Sequence, residues 1–335
     1  MISTSFGDMS RQLMLGRQNG RLKDLMATLS QEMTTGQAAD KARHLRGSMA
    51  ALASLEASLA QVKVRGHIAQ NASTILSAQQ SVIGDFSARV EGILGDLIRT
   101  DLVSDDAAKS RVLAEINEAF SQGIRQLNTS VAGRSLFAGS AGDRPAIAGS
   151  DAILEALMAD LPMPTDPHAL SDFVDDWFGP GSGFDSMGYL GSSQAPEPSE
   201  LGHGIVVRND VTAQDHALRT SLASLAKGAL FQMALPDAEH AEKRAMLGIV
   251  ATDLMAAGSA MTDLAARIGM EEEKAAMAAS RAEAEQTTLS IARAEILAVD
   301  PYDAASQLEQ TMAQLDMIYM LTARLSRLSL AEYLR

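Results

Sequence analysis

The chain has 335 residues, is 46% hydrophobic and only 4% aromatic, and carries a formal net charge of −14 with no cysteine. This acidity argues against a nucleic-acid partner, because phosphate binding draws on clustered Lys and Arg. The lack of cysteine excludes a disulfide framework, a thiolate nucleophile and a sulfur-ligated metal. The length fits two or three domains, and the low aromatic and high Ala, Leu and Met content favours helix over sheet.

Residues 1–20 lack the pattern of a cleaved secretory signal, which is a basic start, an apolar core and a small-residue cleavage site. No apolar run is judged long enough to span a membrane. We therefore expect no membrane partner and, for an exported protein, a route that needs no cleaved signal.

The first periodic segment places leucines at intervals of seven, at Leu15, Leu22 and Leu29, with Leu25 between them. This spacing predicts an amphipathic helix. We expect it to end at Gly36, because glycine tolerates the left-handed conformation that closes many helices.

A second heptad pattern predicts a helix of some 50 residues, which is long for a globular protein. Small and polar residues share its seam, so a bundle with several neighbours is favoured over a tight two-stranded coil. A further helix is predicted to start at Ser104-Asp105 and to stop near Gly133. The apolar heptad positions are Leu55, Val62, Ala69, Leu76, Ile83, Val90 and Leu97.

The middle of the chain has a different composition, since seven of the nine prolines fall between Pro145 and Pro198. Short helices are plausible at 151–160 and 166–178, and residues 204–208 are the best strand candidate. We interpret this region as a small mixed domain inserted between two helical arms.

Helical periodicity returns at Gln214, breaks near Pro236 and resumes to Val299, and Pro301 is expected to mark a helix start or break. The final helix carries two adjacent apolar stripes, which together are too wide for one neighbouring helix, so we expect other chains to cover part of them. The first stripe contains Leu308, Met312, Leu315 and Tyr319, and the second contains Ile318, Leu321, Leu325 and Leu328.

No pattern indicates chemistry, and we expect no catalytic, cofactor-binding or metal-binding residues. The six histidines lack metal-ligand spacing. Asp175 and Asp176 point about 100° apart on a helix, so they are interpreted as solvated surface residues, as is the acidic run 271–274. The segment 179–183 is not followed by the Gly-Lys-Ser/Thr of a phosphate loop, no predicted strand leads into it, and it is expected to be a turn.

Four segments form an ordered set along the chain: Met33–Gly36, Ser135–Gly139, Ala266–Gly269 and Asp300–Leu334. In order and spacing they resemble the bacterial flagellin family, and most closely its hook-associated protein 3 branch at the hook–filament junction. The first resembles the Ser/Thr-Gly turn after the N-terminal helix, and the second resembles the Phe-Gly exit from the N-terminal arm. The third resembles the Arg-Ile-Gly of the long C-terminal helix, and the fourth is the C-terminal segment.

The chain departs from the family after Gly36, where it has Gln37–Ala42 instead of paired acidic residues near a small residue or proline. The geometry of this turn is therefore not predicted by the resemblance.

The resemblance implies a mainly α fold with a small α/β or β insert, and long N- and C-terminal helices paired in a coiled-coil-like bundle. It divides the chain into an N-terminal helix of the inner terminal domain, an N-terminal arm of the helical bundle, an inserted domain, a C-terminal arm and a C-terminal helix. The corresponding ranges are 1–40, 41–140, 141–213, 214–300 and 301–335.

The same resemblance implies a non-enzymatic structural subunit that is exported to the flagellum, outside the cell. Its implied partners are hook-associated protein 1, flagellin, further copies of itself in a ring, an export chaperone and the type III export apparatus. The expected subunit-packing residues are Leu15, Leu22, Leu25, Leu29, Leu308, Met312, Leu315, Ile318, Tyr319, Leu325 and Leu328.

Two alternatives remain open. The chain could be a flagellin subunit of the filament itself. It could also be a helical sensor or a lysis-type enzyme with an active site in the insert, although this would require convergent polar residues and a lined pocket.

Overall fold

The structure is a computed structural model. It describes residues 3–101, 105–162 and 166–333, with side chains described for residue 10 and for 13–100, 105–162 and 166–324. The chain divides into two compact units. Unit 1 contains Met1–Lys63 and Glu283–Arg335, and unit 2 contains Val64–Ala282.

Unit 1 is built from helices at both ends of the chain. It contains α1 (Ser3–Thr35), the short α2 (Lys41–His44), the start of α3 (Ala50–Asp101), the end of α8 (His240–Ile296) and α9 (Pro301–Tyr333). Helices α1 and α9 pack along one another. The predicted boundaries are confirmed at Gly36, which follows α1 with φ +66°, and at Pro301, which opens α9.

A two-stranded ladder joins the segment after α1 to the segment before α9. Gln37 pairs with Ala298 in antiparallel fashion. The Ala38 amide donates to the Leu297 carbonyl over 2.8 Å, and the Val299 amide donates to the Gly36 carbonyl over 3.0 Å. The segment that departs from the flagellin pattern is therefore held by these backbone hydrogen bonds. Two carboxylates add to them, because the Ala39 amide donates to Glu32 and the Arg43 amide donates to Asp40, each over 3.0 Å.

Unit 2 contains the rest of α3 and α8 together with all the strands. Its other helices have the bounds α4 (Asp106–Leu127), α5 (Ser150–Asp160), α6 (Pro167–Trp177) and α7 (His216–Ala234), with a π-helical turn at Phe184–Gly188. Two antiparallel hairpins are formed by β1 (Ser130–Val131) with β2 (Arg134–Ser135), and by β3 (Ser199–Gly202) with β4 (Ile205–Val207).

Local sequence explains several of these boundaries. Asp105 caps α4 by accepting from the Ala107 amide, and Asp166 caps α6 just before Pro167, whose fixed φ suits a first helical turn. The prediction that α4 continues to Gly133 is wrong. The helix ends at Leu127, because Ala132 and Gly133 both adopt positive φ and form the turn of the β1–β2 hairpin.

The core of unit 2 is one continuous cluster. The heptad face of α3 contributes Leu76 and Ile83, and α4 contributes Phe120. Residues of the proline-rich region, such as Val174, pack into the same cluster, as does Leu222 of α7. The small mixed region therefore shares its core with the helical arms.

Helix α8 is long and apolar enough to cross a membrane by length and composition alone, with a window of mean hydropathy 1.4. The expectation that no run reaches that length is therefore wrong on this criterion. Burial gives the apolar residues another role, because Met246, Val250, Leu254 and Leu264 of α8 lie in the core of unit 2.

The predicted fold class is confirmed. The described residues form mainly α structure with two small antiparallel strand pairs, and the long terminal helices are paired.

Candidate functional site on the terminal helices

A narrow apolar seam holds α1 and α9 together. Leu22 of α1 lies in one buried cluster with Leu315 and Ile318 of α9, and Leu15 packs against it half-buried. Leu315 belongs to the first predicted stripe and Ile318 to the second. Helix α1 therefore covers the boundary between the two stripes and leaves the outer edge of each uncovered.

The helical period explains which residues stay exposed. Successive residues are about 100° apart around a helix, so Met312 and Tyr319 lie on one side of the buried seam and Leu321 lies on the other. Met312 is 46% exposed, Tyr319 44% and Leu321 48%. The Lys23 ammonium lies 6.0 Å from the centroid of the Tyr319 ring. The apolar face of α9 is thus wider than its partner within the chain, which is what the sequence predicted.

The predicted packing residues fall into four groups. Leu22, Leu29, Leu315 and Ile318 are buried; Leu15, Leu25 and Leu308 are half-buried; Met312 and Tyr319 are exposed; and Leu325 and Leu328 lie outside the residues whose side chains are described.

Sequence reasoning did not include Thr311, Met317 and Met320 in either stripe. Thr311 is buried on the seam, where its hydroxyl donates to the Gln307 carbonyl, so its polarity does not prevent burial. Thr311 follows Ala304, which is also buried, by seven residues, so the heptad spacing could have indicated that Thr311 is buried. Met317 and Met320 are highly exposed, on the part of α9 that faces away from α1.

Charge is distributed very unevenly between the units. Residues 1–63 and 283–335 contain 12 Lys and Arg against 13 Asp and Glu, whereas residues 64–282 contain 16 against 29. Unit 2 therefore carries almost all of the net negative charge. Because like charges repel, two copies of unit 1 can approach each other at a much lower electrostatic cost than two copies of unit 2.

A charged cluster lies beside the ladder in unit 1. Glu56 of α3 accepts from Lys41 over 3.3 Å and from Arg293 of α8 over 3.4 Å. The hydrogen bond and charge of Lys41, followed by those of Arg293, hold the pKa of Glu56 below its usual range. The His44 ring also lies 3.2 Å from the Ile296 carbonyl.

A buried ammonium group in unit 2 was not anticipated. Lys227 of α7 is 2% exposed and donates to Asp175 of α6 and to Asp253 of α8, each over 2.6 Å. The interpretation of Asp175 as a merely solvated residue is therefore wrong. Adjacent aspartates do diverge on a helix, but one of them meets a lysine 52 residues away in sequence, which periodicity does not reveal.

Two further carboxylates in unit 2 have specific partners. Burial opposes ionisation of Asp185, but hydrogen bonds from the Gly181 amide, Gln214 and Arg219 outweigh it and hold the pKa of Asp185 below its usual range. Glu271 behaves similarly: it accepts from Lys274 and from the Arg208 amide, and its pKa is lowered despite burial. The interpretation of residue 271 as a purely solvated residue is thus also wrong.

These polar clusters link elements of the fold. Asp185 joins the π-helical turn to α7 through Arg219, whose guanidinium also lies 5.2 Å from the centroid of the Phe184 ring. Within the described ranges, no group of three or more His, Asp or Glu is arranged to hold a metal ion.

The larger groove in unit 2 has a volume of about 630 Å³ and lies between the end of α3 and the start of α8. It is lined mainly by apolar residues, including Leu97, Ile98 and Met255, with Lys109 and Arg244 as its charged members. A smaller cavity of about 180 Å³ lies against the β hairpins.

Comparison with known proteins leaves the family open. No family model and no curated protein matches this sequence. One solved structure with similarity is a candidate flagellar hook-associated protein from Vibrio parahaemolyticus. It is 16% identical, covers 73% of this chain and 95% of its own, and superposes with a TM-score of 0.46. That score is too low to assign a shared fold.

Proposed function

We propose that this protein is a structural subunit of the bacterial flagellum, resembling hook-associated protein 3, and that it forms the junction ring between hook-associated protein 1 and the flagellin filament. The observation that carries the proposal is the apolar face of α9, which α1 covers only along the seam of Leu315 and Ile318. An uncovered apolar face of this kind is typical of a protein–protein interface.

The proposal assigns the uncovered positions to packing against neighbouring subunits. Met312 and Tyr319 would contact one neighbour, and Leu321 with the second stripe, including Leu325 and Leu328, would contact another. Burial of apolar surface contributes roughly 25 cal/mol per Å², so such contacts stabilise the helices further once neighbours are present. The small net charge of unit 1 supports this role, because it limits repulsion between the associating surfaces.

The remaining parts of the proposal come from the sequence resemblance. They are export without a cleaved signal through the type III apparatus with the help of a chaperone, a location outside the cell, a non-enzymatic role, and the division into inner terminal, bundle and inserted domains. The partners would be hook-associated protein 1, flagellin and further copies of this chain.

The test is rebinding of the purified chain to hooks isolated from a strain that lacks its gene. The wild-type chain should pellet with these hooks at low, saturable stoichiometry. Tyr319→Asp should remain a folded monomer, because Tyr319 is exposed, but should bind at least about tenfold more weakly because it buries an unpaired carboxylate. Ala276→Asp places the same charge at an exposed position of α8 in unit 2, outside both α9 stripes, and is the matched control.

The outcome separates this function from its alternatives. Failure of the wild-type chain to bind hooks would contradict the junction role. A protein that dominates sheared filaments on a gel would instead be a filament flagellin, since a junction ring contributes only a minor band.

A further inference from the structure

Methionines account for much of the uncovered surface of α9. Met312 is 46% exposed, Met317 57% and Met320 67%. All three lie within nine residues of one helix, Met312 beside the seam that holds α1 and Met317 and Met320 on the part of α9 that faces away from α1. Met14 of α1 is 73% exposed as well. The terminal pair thus presents a group of accessible thioethers, of which Met312 belongs to the surface assigned above to subunit packing and the others extend the exposed apolar surface beyond it.

Other methionines are also exposed, among them Met270 at 59% and Met277 at 54%, but those of the core are not accessible to solvent. Met246 and Met261 of α8 are buried in the core of unit 2, at 0% and 2% exposure. The chain has 18 methionines and no cysteine, so thioethers are its only sulfur groups. A peroxide in solution can therefore oxidise sulfur only at methionine, and the exposed ones are reached first.

Oxidation of a methionine thioether by hydrogen peroxide needs no further reagent. A sulfur lone pair of methionine attacks one oxygen of hydrogen peroxide, an S–O bond forms and the O–O bond breaks. The departing oxygen leaves as water after proton transfer, so sulfur loses two electrons and the peroxide gains them. The product is a methionine sulfoxide, which is polar and a strong hydrogen-bond acceptor.

Oxidation of these methionines should affect the free chain and the assembled chain differently. In the free chain the α9 sulfoxides would be solvated, and the fold of the α1–α9 pair would not change. Burying the same group against an apolar neighbour without a donor is unfavourable. Oxidation should therefore weaken association selectively.

We propose that Met312, Met317 and Met320 form an oxidation-sensitive patch, and that their conversion to sulfoxides by peroxide blocks packing of this chain against neighbouring subunits. The inference rests on the proposed function, because it concerns packing of the same helix, and it extends the packing surface of α9 to Met317 and Met320. It adds a modification site, its chemistry and the direction of its effect.

The experiment uses the full chain and the hook-rebinding assay. Three proteins are compared before and after hydrogen peroxide: the wild type, the variant Met312→Leu/Met317→Leu/Met320→Leu, and the variant Met270→Leu/Met277→Leu. The last removes two exposed methionines of α8 in unit 2 and is the matched control. Mass spectrometry locates the sulfoxides, and circular dichroism monitors the fold.

We expect oxidised wild type and the oxidised α8 variant to lose at least about tenfold in hook binding. The α9 leucine variant should bind before and after peroxide, because leucine retains the apolar surface and cannot be oxidised. Treatment with methionine sulfoxide reductases A and B should restore wild-type binding.

Two results would overturn the inference: undiminished binding of wild type whose three α9 methionines are fully oxidised, or an equal loss in the α9 leucine variant. The α9 leucine variant could fail to bind hooks even before oxidation. In that case the test is whether the reductases restore hook binding of the oxidised wild type. If the α9 sulfoxides are fully reduced and binding does not return, the inference is overturned. Failure of untreated wild type to bind hooks would instead contradict the proposed function itself.

Discussion

The amide of Ala38 donates a hydrogen bond to the carbonyl of Leu297 over 2.8 Å, and this bond joins two segments that are 259 residues apart in the chain. Ala38 and Leu297 are both buried. Because the ladder lies at the end of α1 and the start of α9, it fixes where the two terminal helices begin to pair. A small backbone element thus sets the register of the surface assigned to assembly.

Gly36 makes the approach to this ladder possible, and we expect Gly36→Ala to weaken it. Alanine at φ +66° costs about 1 kcal/mol, although no atom lies within 4 Å of the added Cβ. Amide hydrogen exchange at Ala38 and Val299 should become several-fold faster. Gly20→Ala lies inside α1 with similar free space and should stabilise that helix by about 0.5–1 kcal/mol. Equal effects of the two substitutions would contradict this explanation.

We expect Leu315→Asp to open the α1–α9 pair, because a carboxylate in the seam would be buried without a partner at a cost of several kcal/mol. Trypsin should then cleave α1 at Arg17, Arg21 and Lys23 at least about tenfold faster than in the wild type. Gln314→Asp should leave the cleavage rate unchanged. Resistance of Leu315→Asp to trypsin would show that the seam does not hold the helices together.

The buried Lys227 predicts an asymmetry between two kinds of substitution. Asp175→Asn/Asp253→Asn leaves an ammonium group buried without counter-charge and should lower the free energy of unfolding by about 3–5 kcal/mol. Lys227→Met removes the buried charge, and both carboxylates are exposed enough to regain water, so the loss should be under about 2 kcal/mol. Urea unfolding followed by circular dichroism measures both. A larger loss of unfolding free energy in Lys227→Met than in Asp175→Asn/Asp253→Asn would contradict this explanation.

Asp185 predicts a pH-dependent contribution to stability. Its pKa in the folded chain is held below the value of about 3.9 expected for the unfolded chain. Ionised Asp185 therefore contributes stability above about pH 4, and this contribution is lost as the pH falls through the lowered pKa. Asp185→Asn should lower the free energy of unfolding by about 1–3 kcal/mol at pH 7.

The difference between wild type and Asp185→Asn should shrink as the pH falls below about 4. Asp172→Asn changes an exposed carboxylate of α6 and should have little effect at any pH. Urea unfolding between pH 3 and pH 7 measures the free energy of unfolding of all three proteins. If the difference between wild type and Asp185→Asn is constant over this range, ionised Asp185 does not stabilise the fold in the way described.

Local signals in the sequence determined most of the helices and their ends. Apolar residues at heptad spacing predicted α1 and α3, and Asp105, Asp166 and Pro301 marked helix starts, because capping and periodicity depend on residues within one or two turns. The width of the apolar face on α9 was also a local property. It predicted that one neighbouring helix would not cover it.

Only the tertiary structure decided which strip of that face α1 covers. The two stripes are comparably apolar, and the choice of the boundary at Leu315 and Ile318 depends on the packing of a helix nearly 300 residues away in sequence. The burial of Lys227 between Asp175 and Asp253 was likewise invisible, because each residue alone suits an exposed helix surface. Periodicity identifies which face of a helix is apolar, whereas the three-dimensional path of the chain determines what that face meets.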